Sequence, residues 1–167
     1  MITNDIVKAI KALQQDQLVA IPTETVYGLA GNAHNDDVVR KIYALKNRPA
    51  YNPLIVHIKS ASFLPKVAQN IPQLAFDLAD RFWPGPLTLL LEKQVHISAA
   101  VTAGNPTVAV RVPDHLLTLS LLESLEFPLV APSANPFGSI SPTSAEHVWH
   151  YFGDSLGVIL DGGHCAK

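Results

Sequence analysis

Side chains able to do chemistry cluster in four short segments of this 167-residue chain. They supply hydroxyls, a carboxylate, amides, an ammonium group and two guanidinium groups, which proteins use to bind anions and hydroxylated small molecules. In chain order the segments are Pro22–Gly28 (PTETVYG), Lys46–His57 (KNRPAYNPLIVH), Thr107–Pro113 (TVAVRVP) and Pro132–Thr143 (PSANPFGSISPT). Each composition is common in loops, so a shared site requires a fold that brings the four together.

Arg111 stands out because it interrupts an otherwise apolar run, Val108–Val112. A guanidinium group that is buried without a partner is strongly destabilising. Arg111 must therefore lie on an exposed face, pair with an acidic side chain, or contact an anionic ligand. The run itself does not decide among these three placements.

Lys46 and Arg48 lie two residues apart at the start of a proline-bounded loop. The planar fork of an arginine beside the point charge of a lysine suits phosphate or carboxylate oxygens. The alternative is a lysine that ends a helix and an arginine on the surface. Ser133 and Asn135 add short hydrogen-bonding side chains, and backbone N–H groups in such a turn can cradle a phosphate. Hydroxyl-rich turns are common, so these two residues alone indicate little.

The basic residues are unevenly distributed along the chain. The formal net charge is −2, yet residues 38–76 contain six basic and no acidic side chains, a local charge of +6 against −8 for the rest. A cationic block on an acidic background suits an anionic small molecule better than a long polyanion. The alternative is a solvated basic helix face, which is the interpretation favoured for Arg40, Lys41, Lys59 and Lys66.

Composition and missing motifs exclude several classes of protein. With 48% apolar and 16% charged residues, the chain is too apolar for intrinsic disorder. A single cysteine, Cys165, excludes a disulfide framework and a multi-cysteine zinc site. The P-loop, dinucleotide-binding and nucleophile-elbow signatures are absent, and His147 and His150 lack the spacing of the HExxH zinc motif. No apolar stretch reaches about 20 residues, the length needed to span a membrane. We therefore expect a cytoplasmic protein that binds no membrane. The single cysteine and the missing zinc motif lead us to expect no metal site of its own.

Alternating helix and strand patterns predict how the segments are positioned. Strands are expected at Leu18–Ile21, Leu54–Ile58, Leu87–Glu92, Val108–Val112, Leu129–Ala131 and Val158–Leu160. Helices are expected at Ile6–Leu13 after a cap at Asn4 or Thr3, Asp36–Lys46, Ser60–Val67, Pro72–Phe82, Leu116–Leu122 after a cap at Asp114, and from a capping box at Thr143–Glu146 to Phe152. This alternation indicates one α/β domain over residues 1–167 with a buried mixed sheet. The segments then fall near strand ends, where α/β sheets bind ligands.

Five motifs together resemble the YrdC-type family of L-threonylcarbamoyladenylate synthases. They are PTETVYGLAGNA (Pro22–Ala33), LKNRPAYNPLIVHI (Leu45–Ile58), FWPGPLTLLL (Phe82–Leu91), TVAVRVPDH (Thr107–His115) and APSANPFGSISPTSAEHV (Ala131–Val148). They span nearly the whole chain in the family's order, which makes the combination specific although each motif alone is weak. The resemblance implies a YrdC-like α/β fold in which helices flank a twisted sheet of parallel and antiparallel strands around a deep cationic cavity.

The resemblance also implies a reaction and its site. Such a nucleotidyltransferase makes threonylcarbamoyl-AMP and pyrophosphate from L-threonine, bicarbonate or CO2, and ATP, with Mg²⁺ accompanying the triphosphate. The product supplies the machinery that forms threonylcarbamoyladenosine in tRNA. On the family's pattern, threonine is bound by Thr25, His57, Arg111 and Ala131, and ATP is bound by Arg48, Asn52, Thr107, Ser133, Asn135 and Ser141. Lys46, Arg48 and Arg111 are the expected catalytic residues, since fixed cations let three anionic substrates approach one another.

Two departures and two alternatives accompany this resemblance. Family members usually continue past a segment like Val158–Lys167, often with a serine that completes the threonine pocket, and longer members carry a second domain. We therefore expect a core that is truncated at its C-terminus. The first alternative is a non-catalytic module that binds double-stranded RNA or tRNA weakly, with steep salt dependence. The second is a relative that adenylates a carbamoyl group derived from carbamoyl phosphate.

Overall fold

The computed structural model describes residues 1–166, which fold around one mixed β-sheet. The eight strands of these residues are β1 (Ile2–Thr3), β2 (Val19–Ile21), β3 (Gly28–Asn32), β4 (Ile55–His57), β5 (Leu89–Glu92), β6 (Thr107–Arg111), β7 (Leu129–Val130) and β8 (Val158–Leu160). Their order across the sheet is β1-β8-β2-β3-β7-β4-β6-β5. Strand β8 runs parallel to β1 and β2, and β4 runs parallel to β6, while the other neighbours are antiparallel. The predicted α/β fold with a mixed sheet is confirmed.

Helices flank this sheet. They are α1 (Ile6–Gln14), α2 (Asp36–Lys46), α3 (Gln73–Phe82), α4 (Ala99–Thr102), α5 (Leu116–Glu123) and α6 (Ala145–Phe152), with short 3-10 turns at Ala61–Lys66 and Gly153–Ser155. The side chain of Asn35, just before α2, caps its first turn. Asn47, just after α2, ends the helix with a left-handed φ of 52°. It packs closely on β3, because a Cβ added to Gly31 would lie 2.5 Å from a methyl carbon of Val38.

Most predicted elements are confirmed, with their ends shifted by one or two residues. The predicted bounds of α2 are confirmed at both ends. Three predicted helix caps are wrong because the neighbouring residue takes the position: the observed caps are Asp5 instead of Asn4 or Thr3, His115 instead of Asp114, and Ser144 instead of Thr143. The predicted helix at Ser60–Val67 is a 3-10 turn. Among residues 1–166, no helix has both the length and the apolar character needed to cross a bilayer.

Side chains along β6 alternate between the core and the opposite face of the sheet. Val108 and Val110 are buried, whereas Thr107, Ala109 and Arg111 are partly exposed. The guanidinium group at the end of this strand therefore leaves the apolar core without interrupting it.

The parallel pairing of β4 with β6 sets a second polar side chain beside Arg111. The register places Ile55 opposite Ala109 and His57 opposite Arg111. Paired residues of neighbouring strands point to the same face of a sheet. The sheet thus presents His57 and Arg111 together on the face that does not carry Val108 and Val110.

Candidate functional site

A cavity of about 280 Å³ opens on this polar face of β4 and β6. Residues from all four of the segments singled out by the sequence line it, together with Ala131, which precedes the fourth segment. They are Thr23, Val26, Gly28, Arg48, Pro53, Ile55, His57, Arg111, Ala131, Pro132 and Ser133. The fold therefore gathers two guanidinium groups, an imidazole and hydroxyl groups in one chamber, although the chain separates them widely.

Arg111 is held by the loop that connects β2 and β3. Its Nη2 donates hydrogen bonds to Oε1 of Glu24 and, over 3.2 Å, to Oγ1 of Thr25. The side chain of Glu24 is 3% exposed and that of Arg111 is 12% exposed, so the ion pair is buried. Of the three placements that the sequence leaves open, the structure combines two, because Arg111 pairs with an acid and also faces the cavity.

His57 contributes a neutral imidazole to the cavity. Its Nδ1 lies 3.3 Å from the carbonyl oxygen of Ile55, which can only accept a hydrogen bond. Nδ1 therefore carries the hydrogen and leaves Nε2 as an acceptor. Complete burial, reinforced by the charge of Arg111, lowers the pKa of His57 to about 3. At neutral pH, Nε2 of His57 can accept a hydrogen bond from a ligand, and the side chain adds no positive charge to the cavity.

Arg48 is held by the loop in which it lies. Its Nε donates to the carbonyl oxygen of Asn52 over 3.0 Å, and its Nη2 donates to Oδ1 of Asn52 over 2.9 Å and to the carbonyl oxygen of Pro53 over 2.8 Å. The guanidinium carbon also lies 5.9 Å from the centre of the Phe137 ring. Burial lowers the pKa of Arg48, but an arginine starts so high that it stays charged at neutral pH.

Lys46 is buried behind the cavity and is not one of its lining residues. Its Nζ donates to the carbonyl oxygens of Ser133 and Asn135. These bonds tie the end of α2 to the loop that carries Ser133. Burial, followed by repulsion from Arg48, lowers the pKa of Lys46 to about 8. The structure thus shows Lys46 supporting the loop, and direct catalysis by it stays a prediction.

Two other predicted residues touch the lining side chains rather than the cavity itself. Thr25 accepts a hydrogen bond from Arg111, and Asn52 accepts two from Arg48. Asn135 is buried and donates to the carbonyl oxygens of Pro136 and Ser139. Its Oδ1 is buried with no hydrogen-bond partner among the described residues.

The structure does not bring Thr107 or Ser141 to the cavity wall. Thr107 shares the polar face of β6 with Arg111, but the two lie four positions apart, which is about 13 Å along a strand. Continued by two residues, the β4–β6 register places Thr107 beside Pro53, which lines the cavity although Thr107 does not. Ser141 lines a separate pocket beside His147. ATP binding by these two residues stays a prediction.

Sequence reasoning gave no role to Glu24 or Tyr27, which lie in the first segment. Glu24 holds Arg111, as described above. Tyr27 is fully buried, and its hydroxyl donates to the carbonyl oxygen of Gly163 over 2.8 Å and accepts from the N–H of Gly162 over 3.1 Å. Burial raises the pKa of Tyr27 to about 12. A carboxylate and a phenol so close to two apolar strands were the available signal, because buried polar groups need partners.

The cavity is suited to anions and not to a divalent cation held by side chains. The described residues contain no cluster of three or more His, Cys, Asp or Glu side chains that could hold a metal ion. Beside the cavity, both carboxylate oxygens of Glu24 already accept hydrogen bonds, from Arg111 and from the backbone N–H of Asp114. The surrounding side chains therefore do not fit a magnesium site of the protein's own.

A larger depression of about 870 Å³ lies elsewhere, between the end of α1 and α2. One basic side chain, Lys41, contributes to its lining beside Gln15, Asp16 and Gln17. It is a more open surface feature and lacks converging cations. Volume alone favours this depression, but the chemistry of the lining favours the smaller cavity, because ligand sites are defined by a few convergent polar groups.

Known proteins resemble this chain over most of its length. A family model described as telomere recombination, covering Sua5, YciO and YrdC, matches residues 11–167. Threonylcarbamoyl-AMP synthase of Bacillus subtilis is 51% identical over 164 residues, covering 96% of this chain and 47% of the relative. The protein of the same name from Pseudomonas aeruginosa is 36% identical over 154 residues, covering 92% of this chain and 83% of the relative.

Almost the whole of this chain matches about half of a solved structure. Pyrococcus abyssi Sua5 complexed with L-threonine is 49% identical and superposes with a TM-score of 0.93, covering 95% of this chain and 47% of that chain. The chain spans about half the length of the Bacillus and Pyrococcus relatives. With the family model matching all but the first ten residues, this chain belongs to the Sua5/YciO/YrdC family.

Proposed function

We propose that this chain carries the activity of an L-threonylcarbamoyladenylate synthase, a nucleotidyltransferase. It would convert L-threonine, bicarbonate or CO2, and ATP into threonylcarbamoyl-AMP and pyrophosphate. The observation that carries the proposal is the convergence of Arg48 and Arg111 on one cavity, beside the neutral His57 and the hydroxyl-bearing Ser133. The names of the Bacillus and Pseudomonas relatives, and the threonine bound to the Pyrococcus one, support it.

The Arg111 end of the cavity is proposed to bind threonine. Arg111 would donate hydrogen bonds to the substrate carboxylate, and Nε2 of His57 would accept one from the substrate's amine or hydroxyl. Thr25 adds a hydroxyl beside Arg111, and Ala131 offers an apolar surface to the substrate methyl group. A volume of about 280 Å³ is at the low end of the roughly 300–1,000 Å³ of small-molecule pockets. The cavity therefore has room for the amino acid, and the nucleotide would extend beyond it with its phosphates near Arg48.

The Arg48 end is proposed to bind ATP. Arg48 would contact the phosphates, and Asn52 would hold Arg48 in place and contact the nucleotide. The N–H groups and hydroxyl of the Ser133 loop would add further donors to the triphosphate. Thr107, Asn135 and Ser141 are proposed as more distant nucleotide contacts. Lys46 acts by holding the Ser133 loop against α2.

The reaction needs charge stabilisation and positioning more than a protein nucleophile. Where bicarbonate is the source, it first loses hydroxide to give CO2. The neutral amine of threonine attacks the carbon of CO2 and releases a proton to solvent, which gives a carbamate. A carbamate oxygen then attacks the α-phosphorus of ATP, and the bond to the leaving pyrophosphate breaks. Carboxylate, carbamate and triphosphate repel one another, and the two guanidinium groups offset that repulsion in a partly enclosed chamber.

The proposed function also predicts a metal ion that comes with ATP, enzymes that use the product, and a location in the cell. Mg²⁺ would arrive bound to the triphosphate, since the side chains around the cavity form no site for it. The product would pass to the enzymes that complete threonylcarbamoyladenosine in tRNA. A cytoplasmic location fits that link to tRNA.

Pyrophosphate release from ATP tests the proposal. Purified protein should release pyrophosphate only when L-threonine and bicarbonate are both present. L-Valine, which replaces the hydroxyl with a methyl group, should be a poor substrate, because a site that bonds a hydroxyl rejects analogues that lack it. Arg40→Ala, on the exposed face of α2, serves as the control and should keep full activity. ATP turnover that ignores threonine would reject the proposal.

A further inference from the structure

Glu24 is a buried carboxylate to which the proposed reaction gives no role. Its side chain is 3% exposed and does not line the cavity. We propose that Glu24 is a positioning residue, which orients Arg111 to receive the carboxylate of the amino-acid substrate. This inference rests on the proposed function, because it takes L-threonine as that substrate.

Two donors occupy the two oxygens of this carboxylate. Oε1 accepts a hydrogen bond from Nη2 of Arg111, and Oε2 accepts one from the backbone N–H of Asp114 over 3.0 Å. Asp114 follows Arg111 by three residues, so one side chain holds both the guanidinium group and the backbone where the chain leaves β6. With both oxygens engaged inside the protein, Glu24 acts through Arg111 and not on substrate.

The guanidinium group is oriented by two acceptors at once. Nη2 uses one hydrogen for Glu24 and the other for Thr25. Nε of Arg111 is buried and has no hydrogen-bond partner among the described residues. Buried donors without an acceptor are rare. An anionic ligand in the cavity would supply one, provided that Arg111 keeps the orientation that Glu24 and Thr25 impose.

Charge and orientation make opposite predictions for the loss of Glu24. A negative carboxylate beside Arg111 weakens the attraction of Arg111 for an anion. If Glu24 only neutralised charge, its removal would tighten threonine binding. If Glu24 positions Arg111, its removal loosens threonine binding even though the site becomes more positive.

Three substitutions separate these effects. Glu24→Gln keeps the shape but offers one acceptor oxygen where the carboxylate offers two, so an amide N–H must face either Arg111 or the N–H of Asp114. Glu24→Asp keeps the charge and both oxygens but is one methylene shorter. Asp37→Asn is the matched control, because Asp37 pairs with Arg40 on the exposed surface of α2.

The first measurement needs no substrate. The Nε–H signal of Arg111 in a nitrogen-15 NMR spectrum is assigned by its disappearance in Arg111→Lys. We expect this signal to be sharp and slow to exchange in the wild-type protein and in Asp37→Asn, and to broaden or exchange faster in Glu24→Gln. An unchanged signal in Glu24→Gln overturns the proposal, whether or not threonine binds.

The second measurement is calorimetric binding of L-threonine and of ATP. Glu24→Gln should weaken L-threonine binding about tenfold or more, the loss of a well-placed charged hydrogen bond, and leave ATP binding within about twofold. In the Arg111→Lys background the same substitution should have little further effect, because residues that act as a unit are not additive. Unchanged or tighter threonine binding, or an equal loss in both backgrounds, overturns the proposal.

Two remaining outcomes are also decisive. If Glu24→Gln does not fold, Glu24→Asp takes its place. Weaker binding of threonine by Glu24→Asp would support the proposal, and binding as tight as in the wild-type protein would refute it. If the wild-type protein binds no L-threonine, the proposed function fails, and the NMR measurement alone decides whether Glu24 holds Arg111.

Discussion

The two arginines of the cavity are held in different ways. Arg48 is bound by oxygens of Asn52 and Pro53, four and five residues further along the same loop. Arg111 is bound by Glu24 and Thr25, which lie 87 and 86 residues earlier in the chain. Arg48 is half-buried beside Phe137, whereas Arg111 lies in a largely dry ion pair.

Arg48 is thus held by local hydrogen bonds, whereas the hydrogen bonds that hold Arg111 depend on the whole fold. The loop of Arg48 carries its own hydrogen-bond acceptors, so it can form wherever the loop forms. Arg111 needs the register of β6 with β4 and the loop after β2 in place together. Because electrostatic interactions strengthen as water is excluded, the Arg111 end should be both more sensitive to substitution and more selective for its ligand.

Arg111→Ala should have the largest effect and would test the comparison most directly. It removes a proposed threonine contact and leaves Glu24 buried without its charged partner. Removing one member of a buried ion pair costs about 3–5 kcal/mol. We therefore expect a large loss in the free energy of unfolding, measured with urea, and no threonine-dependent release of pyrophosphate.

A double substitution separates stability from function in this prediction. Glu24→Ala with Arg111→Ala removes both charges, so it should recover part of the lost stability without recovering activity. Arg40→Ala, which breaks the exposed pair with Asp37, is the control and should unfold like the wild-type protein. If Arg111→Ala changed the free energy of unfolding as little as Arg40→Ala, the contrast between a buried, long-range ion pair and a local set of hydrogen bonds would not hold.

Lys46→Met should have the second-largest effect on stability, because Lys46 makes the long-range hydrogen bonds at the Arg48 end of the cavity. It joins α2 to the carbonyl oxygens of Ser133 and Asn135. Leaving buried acceptors without a donor costs about 1–3 kcal/mol, so urea unfolding should show a loss in this range. Lys41→Met, on the exposed side of the same helix, is the matched control. Unchanged stability of Lys46→Met would show that the Ser133 loop does not depend on α2.

The buried His57 should make the Arg111 end sensitive to acid. Its pKa is about 3 in the folded protein and about 6.5 in the unfolded chain. As the pH falls below 6.5, the unfolded chain binds a proton that the folded protein does not, so stability decreases on acidification. Between pH 7 and pH 5 this contribution is about 2 kcal/mol.

His57→Asn tests this contribution by removing the titrating group. Urea unfolding at pH 7 and pH 5 should show a smaller loss of stability in the variant than in the wild-type protein, by about 2 kcal/mol. Equal losses in the two proteins would mean that His57 is reached by water and protons more easily than its burial indicates.

The sequence predicts the fold class and most of the strands and helices. Strands such as Val108–Val112 are short apolar runs between turn residues, and α2 has acidic residues at its start and a lysine at its end. These are local signals, so they survive in any fold that keeps the segment. The strand β3 was missed because Gly28 and Gly31 weaken its apolar pattern. Their absent side chains are needed for close packing, as at Val38, and that need appears only in three dimensions.

The long-range hydrogen bonds that hold Arg111 are only partly predictable from the sequence. An arginine in an apolar run needs a partner if it is buried. The run does not identify that partner, because its identity depends on which loop folds across the strand. Glu24 is one of fourteen acidic residues in the chain, and nothing near it in sequence marks it as that partner. The same limit applies to Lys46, because only the structure shows that its ammonium group bonds two backbone carbonyls of a distant loop.

Arg48→Ala should have the smallest effect on stability and sharpens the comparison from the other side. Arg48 is half-buried, and water can reach the acceptors in its loop, so we expect a loss of about 1 kcal/mol in the free energy of unfolding. If the Arg48 end binds ATP, the KM for ATP should rise more than the KM for threonine. Asn52→Ala should reproduce this pattern more weakly, because it removes one of the three oxygens that hold Arg48. A selective rise in the threonine KM would instead place Arg48 with Arg111 at a single substrate end, and the division of the cavity into two ends would be wrong.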